Sequence, residues 1–217
     1  MRRRSFSLFG GLVILLVGLP LFESGMRGLG SVFLTVMLAS GLYASSLHRR
    51  QLVVGLAFLA PAAVFSILHV FVEIVHLVPR LLGLASYTIA LAYLIVMQVR
   101  RLMTAREVTS DTLAAAVNAY LLIGILGAIA FSFLAVLEPG TLGGAIHPEN
   151  PAPADLFYFS FVTLTTLGYG DIGPTGTAAR LLAAGEAVTG QLFIAITIAR
   201  LVGLHIAGGR PEGGRLN

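Results

Sequence analysis

Six long apolar stretches constrain the fold of this chain more than any other feature of its sequence. Each is as long, or nearly as long, as the roughly 20 residues that cross a bilayer as a helix. The chain has 217 residues, of which 57% are hydrophobic and 11% charged, whereas a soluble domain carries about 25% charged residues. The sequence therefore predicts an all-α membrane protein with six transmembrane helices. We place them at roughly 6–22, 30–47, 52–72, 81–99, 112–137 and 177–203.

Two boundaries between these helices are weakly marked. The first stretch is short, and Pro20 lies near its end. The third and fourth stretches are nearly fused, and the break between them is predicted at Glu73, His76, Pro79 and Arg80.

The arginines predict the orientation of the chain in the membrane. All fourteen basic residues are arginine, and eleven fall on one side of the predicted spans. Those eleven are Arg2, Arg3, Arg4, Arg49, Arg50, Arg100, Arg101, Arg106, Arg200, Arg210 and Arg215. Cytoplasmic loops collect basic residues, so both termini of a multi-pass protein of the plasma membrane are predicted to be cytoplasmic, with lipids as its surroundings. The arginines form no single stripe, so no nucleic-acid partner is expected.

An alternative interpretation applies to residues 1–25. Their basic start and apolar run also resemble a secretory signal peptide. Removing this segment leaves the orientation of every other span unchanged. No small-x-small cleavage site follows Phe22, so we favour a retained helix.

The segment between the fifth and sixth spans, 138–176, contains a short apolar run. Its first half, Glu138 to Asp155, is rich in Pro and Gly and is predicted to be an irregular loop. The run "ADLFYFSFVTLTT" then extends for about twelve residues before Gly168, too short to cross a bilayer. It predicts a re-entrant helix that begins at Asp155 and breaks at Gly168 and Gly170. Irregular backbone at membrane depth is tolerated where it lines a water-filled path, so this segment is expected to line one.

The run Thr166-Leu167-Gly168-Tyr169-Gly170-Asp171 resembles the potassium-channel pore signature, whose usual form is Thr-Val-Gly-Tyr-Gly-Asp. The resemblance covers residues 112–203, and Phe157 and Tyr158 stand where the family often has an aromatic pair. It implies an outer helix, a pore helix, a selectivity filter and an inner helix. One copy of the filter is present and the ring requires four, so the resemblance implies a homotetrameric pore.

In such a filter, oxygens replace the hydration shell of K⁺. Consecutive carbonyls face one axis when the backbone alternates in handedness, and glycine adopts the left-handed region without steric cost. The resemblance assigns K⁺ binding to the carbonyls of Thr166, Leu167, Gly168 and Tyr169, with Gly170 completing the filter. It implies support of the filter by Thr165, Tyr158 and Asp171, and packing of the Tyr169 side chain toward the pore helix. Leu167 replaces the usual valine and is expected to pack behind the filter.

Two residues of the sixth span are candidates for gating. Gly190 lies twenty residues after Gly170, where the family has a hinge, although a small residue for close helix packing explains it equally well. Glu186 is an intramembrane carboxyl group. It is expected behind the filter, either in a structural hydrogen bond or in control of filter gating and proton sensitivity. Arg200 is expected to be an anchor at the cytoplasmic face.

Other regulatory features are weak or absent. His69, Glu73 and His76 share a helix face and could bind a metal or sense pH, although a polar helix end is the favoured interpretation. No arginine lies within 82–99, so no strong voltage sensor is expected. The tail after residue 203 is too short for a ligand-binding domain.

These observations predict three regions and one function. Residues 1–106 form a four-helix membrane region, 107–205 the pore domain and 206–217 a short cytoplasmic tail. The predicted function is a passive potassium-selective ion channel without enzyme activity or cofactor. The alternatives are a weakly selective cation channel, a non-conducting membrane scaffold and the potassium-translocating subunit of a transporter.

Overall fold

A computed structural model of the chain describes residues 9–12, 29–45, 49–71, 77–148 and 151–208. Residues 9–12 are helical. Six longer helices and two short strands follow in the described ranges: α1 (Leu29–Ser45), α2 (Arg49–Phe71), α3 (Leu77–Thr104), α4 (Ser110–Leu137), β1 (Leu142–Gly144), α5 (Pro153–Leu164), β2 (Ile172–Pro174) and α6 (Thr177–Gly208).

Three of these helices are long and apolar enough to cross a membrane: Leu77–Thr104, Ser110–Leu137 and Thr177–Ala207. They correspond to the predicted fourth, fifth and sixth spans. Most of the predicted first span, 6–22, lies outside the described residues. The count of six transmembrane helices therefore stays a prediction, while a mostly helical fold is confirmed.

Three local predictions differ from the structure. Pro79 and Arg80 lie in the first turn of α3 instead of in a break before it, because proline needs no intrahelical donor there. The segment after Glu138 is not wholly irregular, since β1 pairs antiparallel with β2. The sixth helix continues through residue 205 to Gly208, so the predicted tail begins inside a helix.

Helix α4 has clear signals at both ends. The Thr109 side chain accepts a hydrogen bond from the backbone N–H of Thr112 at 3.2 Å, and Asp111 lies in the first turn. Both features satisfy the positive N-terminal end of a helix. At the other end the N–H of Glu138 donates to the Leu134 carbonyl at 2.7 Å. The loop between α3 and α4 contains residue 106, where the sequence predicted the boundary between the four-helix membrane region and the pore domain.

One apolar core joins the N-terminal helices to the pore region. Its buried members come from the first helical residues and from α1 to α4, and include Leu12, Leu38, Leu42, Leu91, Leu94, Leu122 and Ile125. Phe157 and Phe161 of α5 pack against this core. The short helix α5 is therefore held by side chains from both predicted regions.

A second core lies under the two-stranded ribbon. Phe131 of α4 and Phe159 of α5 meet edge to face with ring centroids 4.8 Å apart. Leu142 of β1 and Ile172 of β2 are buried against them, together with Ala179 of α6. Because this core contains residues from every element around 165–171, it fixes where that segment begins and ends.

Arg200 ties the end of α6 to the end of α3. Its Nε donates to the Leu102 carbonyl at 2.9 Å, and its guanidinium Nη2 donates to the carbonyls of Met103 and Ala105. Free carbonyls at a helix C-terminus carry partial negative charge. The arginine expected to be an anchor at the membrane face therefore also caps α3.

Replacing Arg200 with alanine is expected to lower the free energy of unfolding by about 1.5–3 kcal/mol, the range for a hydrogen bond to a charged group. Arg200→Lys recovers only part of this loss, because lysine lacks the planar fork that reaches several carbonyls. Thermal unfolding in detergent measures the loss of stability in the Arg200→Ala and Arg200→Lys variants. The control is Arg100→Ala, an exposed arginine near the same helix end; equal losses in the two alanine variants would contradict the capping role.

Candidate functional site

The short helix α5 ends immediately before the glycine segment, which we define as residues 165–171. Pro153 occupies the first turn after Ala152, and Asp155 lies within that turn. The helix therefore starts at Pro153, two residues before the start predicted at Asp155, and the charge of Asp155 still suits the N-terminal end. At the other end both the N–H and the Oγ1 of Thr165 donate to the Phe161 carbonyl, at 3.1 and 2.7 Å.

The backbone of the glycine segment alternates in handedness. Thr166, Gly168 and Gly170 have φ angles of 57°, 59° and 80°, whereas Leu167 and Tyr169 between them do not have positive φ. Alternation of this kind turns successive carbonyls toward one side of the chain. Gly168 and Gly170 adopt it without penalty because they have no Cβ. The segment can therefore present a row of oxygens to a cation.

Thr166 is the unforeseen member of this alternation. A β-branched residue at positive φ is a rare outlier, and such strain costs on the order of 1–3 kcal/mol. No local pattern predicts this conformation, because threonine alone favours extended backbone. Hydrogen bonds around it hold the geometry: the Thr166 N–H donates to the Thr163 carbonyl at 2.9 Å, and the Leu167 N–H donates to the Val162 carbonyl at 2.9 Å.

The side chains of the segment are exposed on the single chain. Tyr169 is 68% exposed and Leu167 is 55% exposed. The expected packing of Tyr169 toward α5, and of Leu167 behind the segment, is therefore not made within this chain. Large apolar residues of α6 are also exposed, among them Leu181, Val188, Leu192, Ile196 and Ile206.

The outer end of the segment is held at Asp171. The Tyr158 hydroxyl of α5 donates to Asp171 Oδ2 at 2.7 Å. The Asp171 carbonyl accepts a hydrogen bond from the Ala145 N–H at 2.7 Å. Gly144 makes this approach possible, because a Cβ there would collide with that carbonyl. The structure thus brings Tyr158 and Asp171 together, and it adds the ribbon as a third support.

The hydrogen bond between Tyr158 and Asp171 shifts the pKa of both side chains. It is the main cause that lowers the pKa of the Asp171 carboxyl below its usual value. It also raises the pKa of Tyr158 to about 12. Asp171 is therefore anionic at neutral pH and places a negative charge at the outer end of the segment.

The inner end of the segment contacts α6. Gln191 Nε2 donates to the Thr166 hydroxyl at 3.1 Å. The preceding residue, Gly190, lies so close to α5 that a Cβ would collide with the Leu164 carbonyl. The structure thus favours close packing as one role of Gly190. Sequence reasoning missed Gln191, although an amide directly after that glycine in an apolar helix was an available signal.

Glu186 is buried one turn before Gly190. Its side chain is 7% exposed, and its Oε1 lies 2.5 Å from the Ser160 hydroxyl of α5. A Cβ at Gly127 of α4 would collide with the same oxygen. The carboxyl group therefore occupies a niche between α4, α5 and α6, behind the glycine segment.

The predicted His69, Glu73 and His76 cluster lies outside the residues whose side chains the structure describes. Across the described ranges no group of three His, Cys, Asp or Glu side chains is close enough to hold a metal.

Comparison with known proteins places residues 119–205 in a family described as "Ion channel". The chain is also 36% identical over 89 residues to a protein named two pore potassium channel c from Oryza sativa subsp. japonica. That match covers 41% of this chain and 19% of the relative, so the chain corresponds to about a fifth of the relative's length. No solved structure matches the chain.

The resemblance to potassium channels is therefore confirmed for the part of the chain that contains the glycine segment. The expectation that the chain is not an enzyme is confirmed by the same matches, because ion-channel proteins are transporters.

Tyr158→Phe is expected to raise the pKa of Asp171 toward its ordinary value, because the hydroxyl that stabilises the carboxylate is lost. A carboxyl whose folded pKa is lowered stabilises the protein above its unfolded pKa, and this contribution disappears as pH falls through the folded value. The variant should therefore lack this contribution at neutral pH, and its stability should fall less than that of the wild type as the pH is lowered. Titration of a ¹³C-labelled Asp171 carboxyl by NMR measures the shift; an unchanged titration curve would contradict the assigned cause.

Gly190→Ala is expected to destabilise the fold by about 1–3 kcal/mol, the usual cost of inserting a methyl group into a packed contact. The new Cβ meets a backbone carbonyl, which cannot move aside as a flexible side chain can. Gly203→Ala in the same helix is the matched control, because its Cβ would have no atom of the described residues within 4 Å. Thermal unfolding compares the two, and equal stability would refute the close packing at Gly190.

Proposed function

Because residues 119–205 belong to the ion-channel family, we propose that the chain forms a potassium-selective pore that conducts K⁺ passively across the plasma membrane. The observation that carries this proposal is the alternation of handedness at Thr166, Gly168 and Gly170. K⁺ enters a narrow pore only where oxygens replace its hydration shell. In the proposal the carbonyls of Thr166, Leu167, Gly168 and Tyr169 are those oxygens, and the Thr166 hydroxyl adds one more at the inner end.

The pore is proposed to be a homotetramer. One chain contributes one row of carbonyls and cannot surround an ion, whereas four rows around a four-fold axis can. The exposure of Leu167 and Tyr169 supports this assembly, because both side chains are apolar or aromatic and more than half of each is exposed on the single chain. Neighbouring copies would cover them and the exposed apolar surface of α6.

Electrostatics on the two sides of the filter favour a cation. Asp171 places a negative charge at the proposed outer mouth, held there by Tyr158. The C-terminal end of α5 carries the negative end of the helix dipole toward the proposed central cavity. Gln191 holds the Thr166 hydroxyl, at the inner end of the proposed filter, by a hydrogen bond. With both termini cytoplasmic, as the arginines indicate, the Asp171 end faces outside.

The deciding experiment measures the reversal potential of the purified protein in liposomes, with K⁺ on one side and Na⁺ on the other. The expected value lies near the potassium equilibrium potential. Gly168→Ala should abolish selective current, because an L-residue in the left-handed region costs about 1–2 kcal/mol per residue and displaces the carbonyls. The matched control is Gly173→Ala, which has ordinary φ and open space and should conduct like the wild type.

Two results would overturn the proposal in different ways. A reversal potential near zero with real current would indicate a weakly selective cation channel and implicate Leu167, which replaces the usual valine. Absence of current in every condition, with a folded tetramer, would indicate a non-conducting scaffold.

A further inference from the structure

A single hydroxyl group joins the three helices of the pore region. Ser160 of α5 is fully buried, and its Oγ lies 2.5 Å from Glu186 Oε1 of α6. The same Oγ lies 2.6 Å from the Gly124 carbonyl oxygen of α4. Both separations fall in the range of O–H···O hydrogen bonds. The contact lies six residues before Thr166, in the helix that carries the proposed filter.

The number of hydrogens available decides the protonation state of this contact. A serine hydroxyl has one hydrogen to donate. A backbone carbonyl and an ionised carboxylate both only accept, so an ionised Glu186 would leave one of the two short contacts without a hydrogen. A proton on Glu186 Oε1 satisfies both, because Glu186 then donates to Ser160 and Ser160 donates to Gly124.

The surroundings of the carboxyl group favour the neutral form as well. Glu186 Oε2 is buried and has no hydrogen-bond partner among the described residues. An unpartnered charge in such a place costs far more than a neutral carboxyl oxygen. From α4 the titratable group that faces Glu186 is Tyr120, which carries no positive charge, and α5 presents Ser160, which does not titrate. In the part of the chain that the structure describes, Glu186 forms no salt bridge.

We propose that Glu186 is held protonated and acts as a positioning residue, whose proton fastens α6 to α5 and α4 behind the filter. This inference rests on the proposed function only for its effect on conduction. Loss of the proton would place a charge in the niche and leave Ser160 with two acceptors for one hydrogen. The Ser160 side chain would then release one helix, and α5, which ends at the filter, would lose part of its support.

The first test is infrared spectroscopy of the protein in lipid at neutral pH. The difference spectrum between wild type and Glu186→Gln should contain the C=O stretching band of a protonated carboxylic acid, and that band should shift in D₂O. This readout does not depend on conduction. A difference spectrum that contains carboxylate bands instead would overturn the proposal.

The second test is the pH dependence of thermal unfolding, from mildly acidic to alkaline pH. The folded chain holds a proton that the unfolded chain releases, so the stability of the wild type should fall as pH rises. Glu186→Gln keeps a donor and an acceptor, should match the wild type at acidic pH, where the unfolded glutamate is protonated as well, and should lose this component of the pH dependence. Glu186→Leu keeps the volume without the donor and should be less stable at every pH. A Gln variant with the wild-type pH profile, or one as unstable as the Leu variant, would contradict the role of the proton.

In liposomes the same variants separate this inference from the proposed function. If the protonated Glu186 carboxyl supports the filter, the K⁺ over Na⁺ selectivity of the wild type falls at alkaline pH and that of Glu186→Gln does not. A protein that never conducts, but shows the infrared band of the protonated acid and the expected pH dependence of stability, would refute the proposed function. It would still support the protonated Glu186 contact. If the wild type and Glu186→Gln both conduct selectively and their selectivity depends on pH in the same way, the positioning role of Glu186 is refuted. The proposed channel function is then still supported.

Discussion

The glycine segment must be held by its neighbours because its backbone alternates in handedness, and the elements around it are arranged to meet this constraint. The glycine segment gives up the internal hydrogen bonds of a helix, because its handedness alternates at Thr166, Gly168 and Gly170. Such backbone is tolerated at membrane depth only where protein buries it or water reaches it. Its geometry is therefore imposed by contacts outside the segment.

Three polar contacts supply this support at different depths. Tyr158 binds Asp171 at the outer end, Ser160 binds Glu186 behind the segment, and Gln191 binds Thr166 at the inner end. The first two start on α5, and the last two reach α6. The short helix α5 is thus fastened along its length, while the side chains of Leu167 and Tyr169 are exposed on the single chain.

Close packing between helices makes these contacts reachable. Gly190 brings α6 against the end of α5, and Gly127 leaves room for the Glu186 carboxyl. Gly144 lets the ribbon reach the Asp171 carbonyl. In each place a methyl group would collide with an oxygen atom. The N-terminal helices take part as well, since their apolar core includes Phe157 and Phe161 of α5, and Arg200 caps α3.

The sequence by itself determined the membrane class, the short helix before Gly168 and the use of Gly168 and Gly170, because apolar length and glycine placement are local properties. It did not determine the left-handed conformation of Thr166, the β1–β2 ribbon, the partners of Glu186 or the contact of Gln191. Those depend on residues 25 to 36 positions apart in the chain, and only tertiary packing brings such residues together. Thr166 combines both kinds of contact: its N–H donates to the nearby Thr163 carbonyl, and its hydroxyl accepts from Gln191, which only tertiary packing brings to this position.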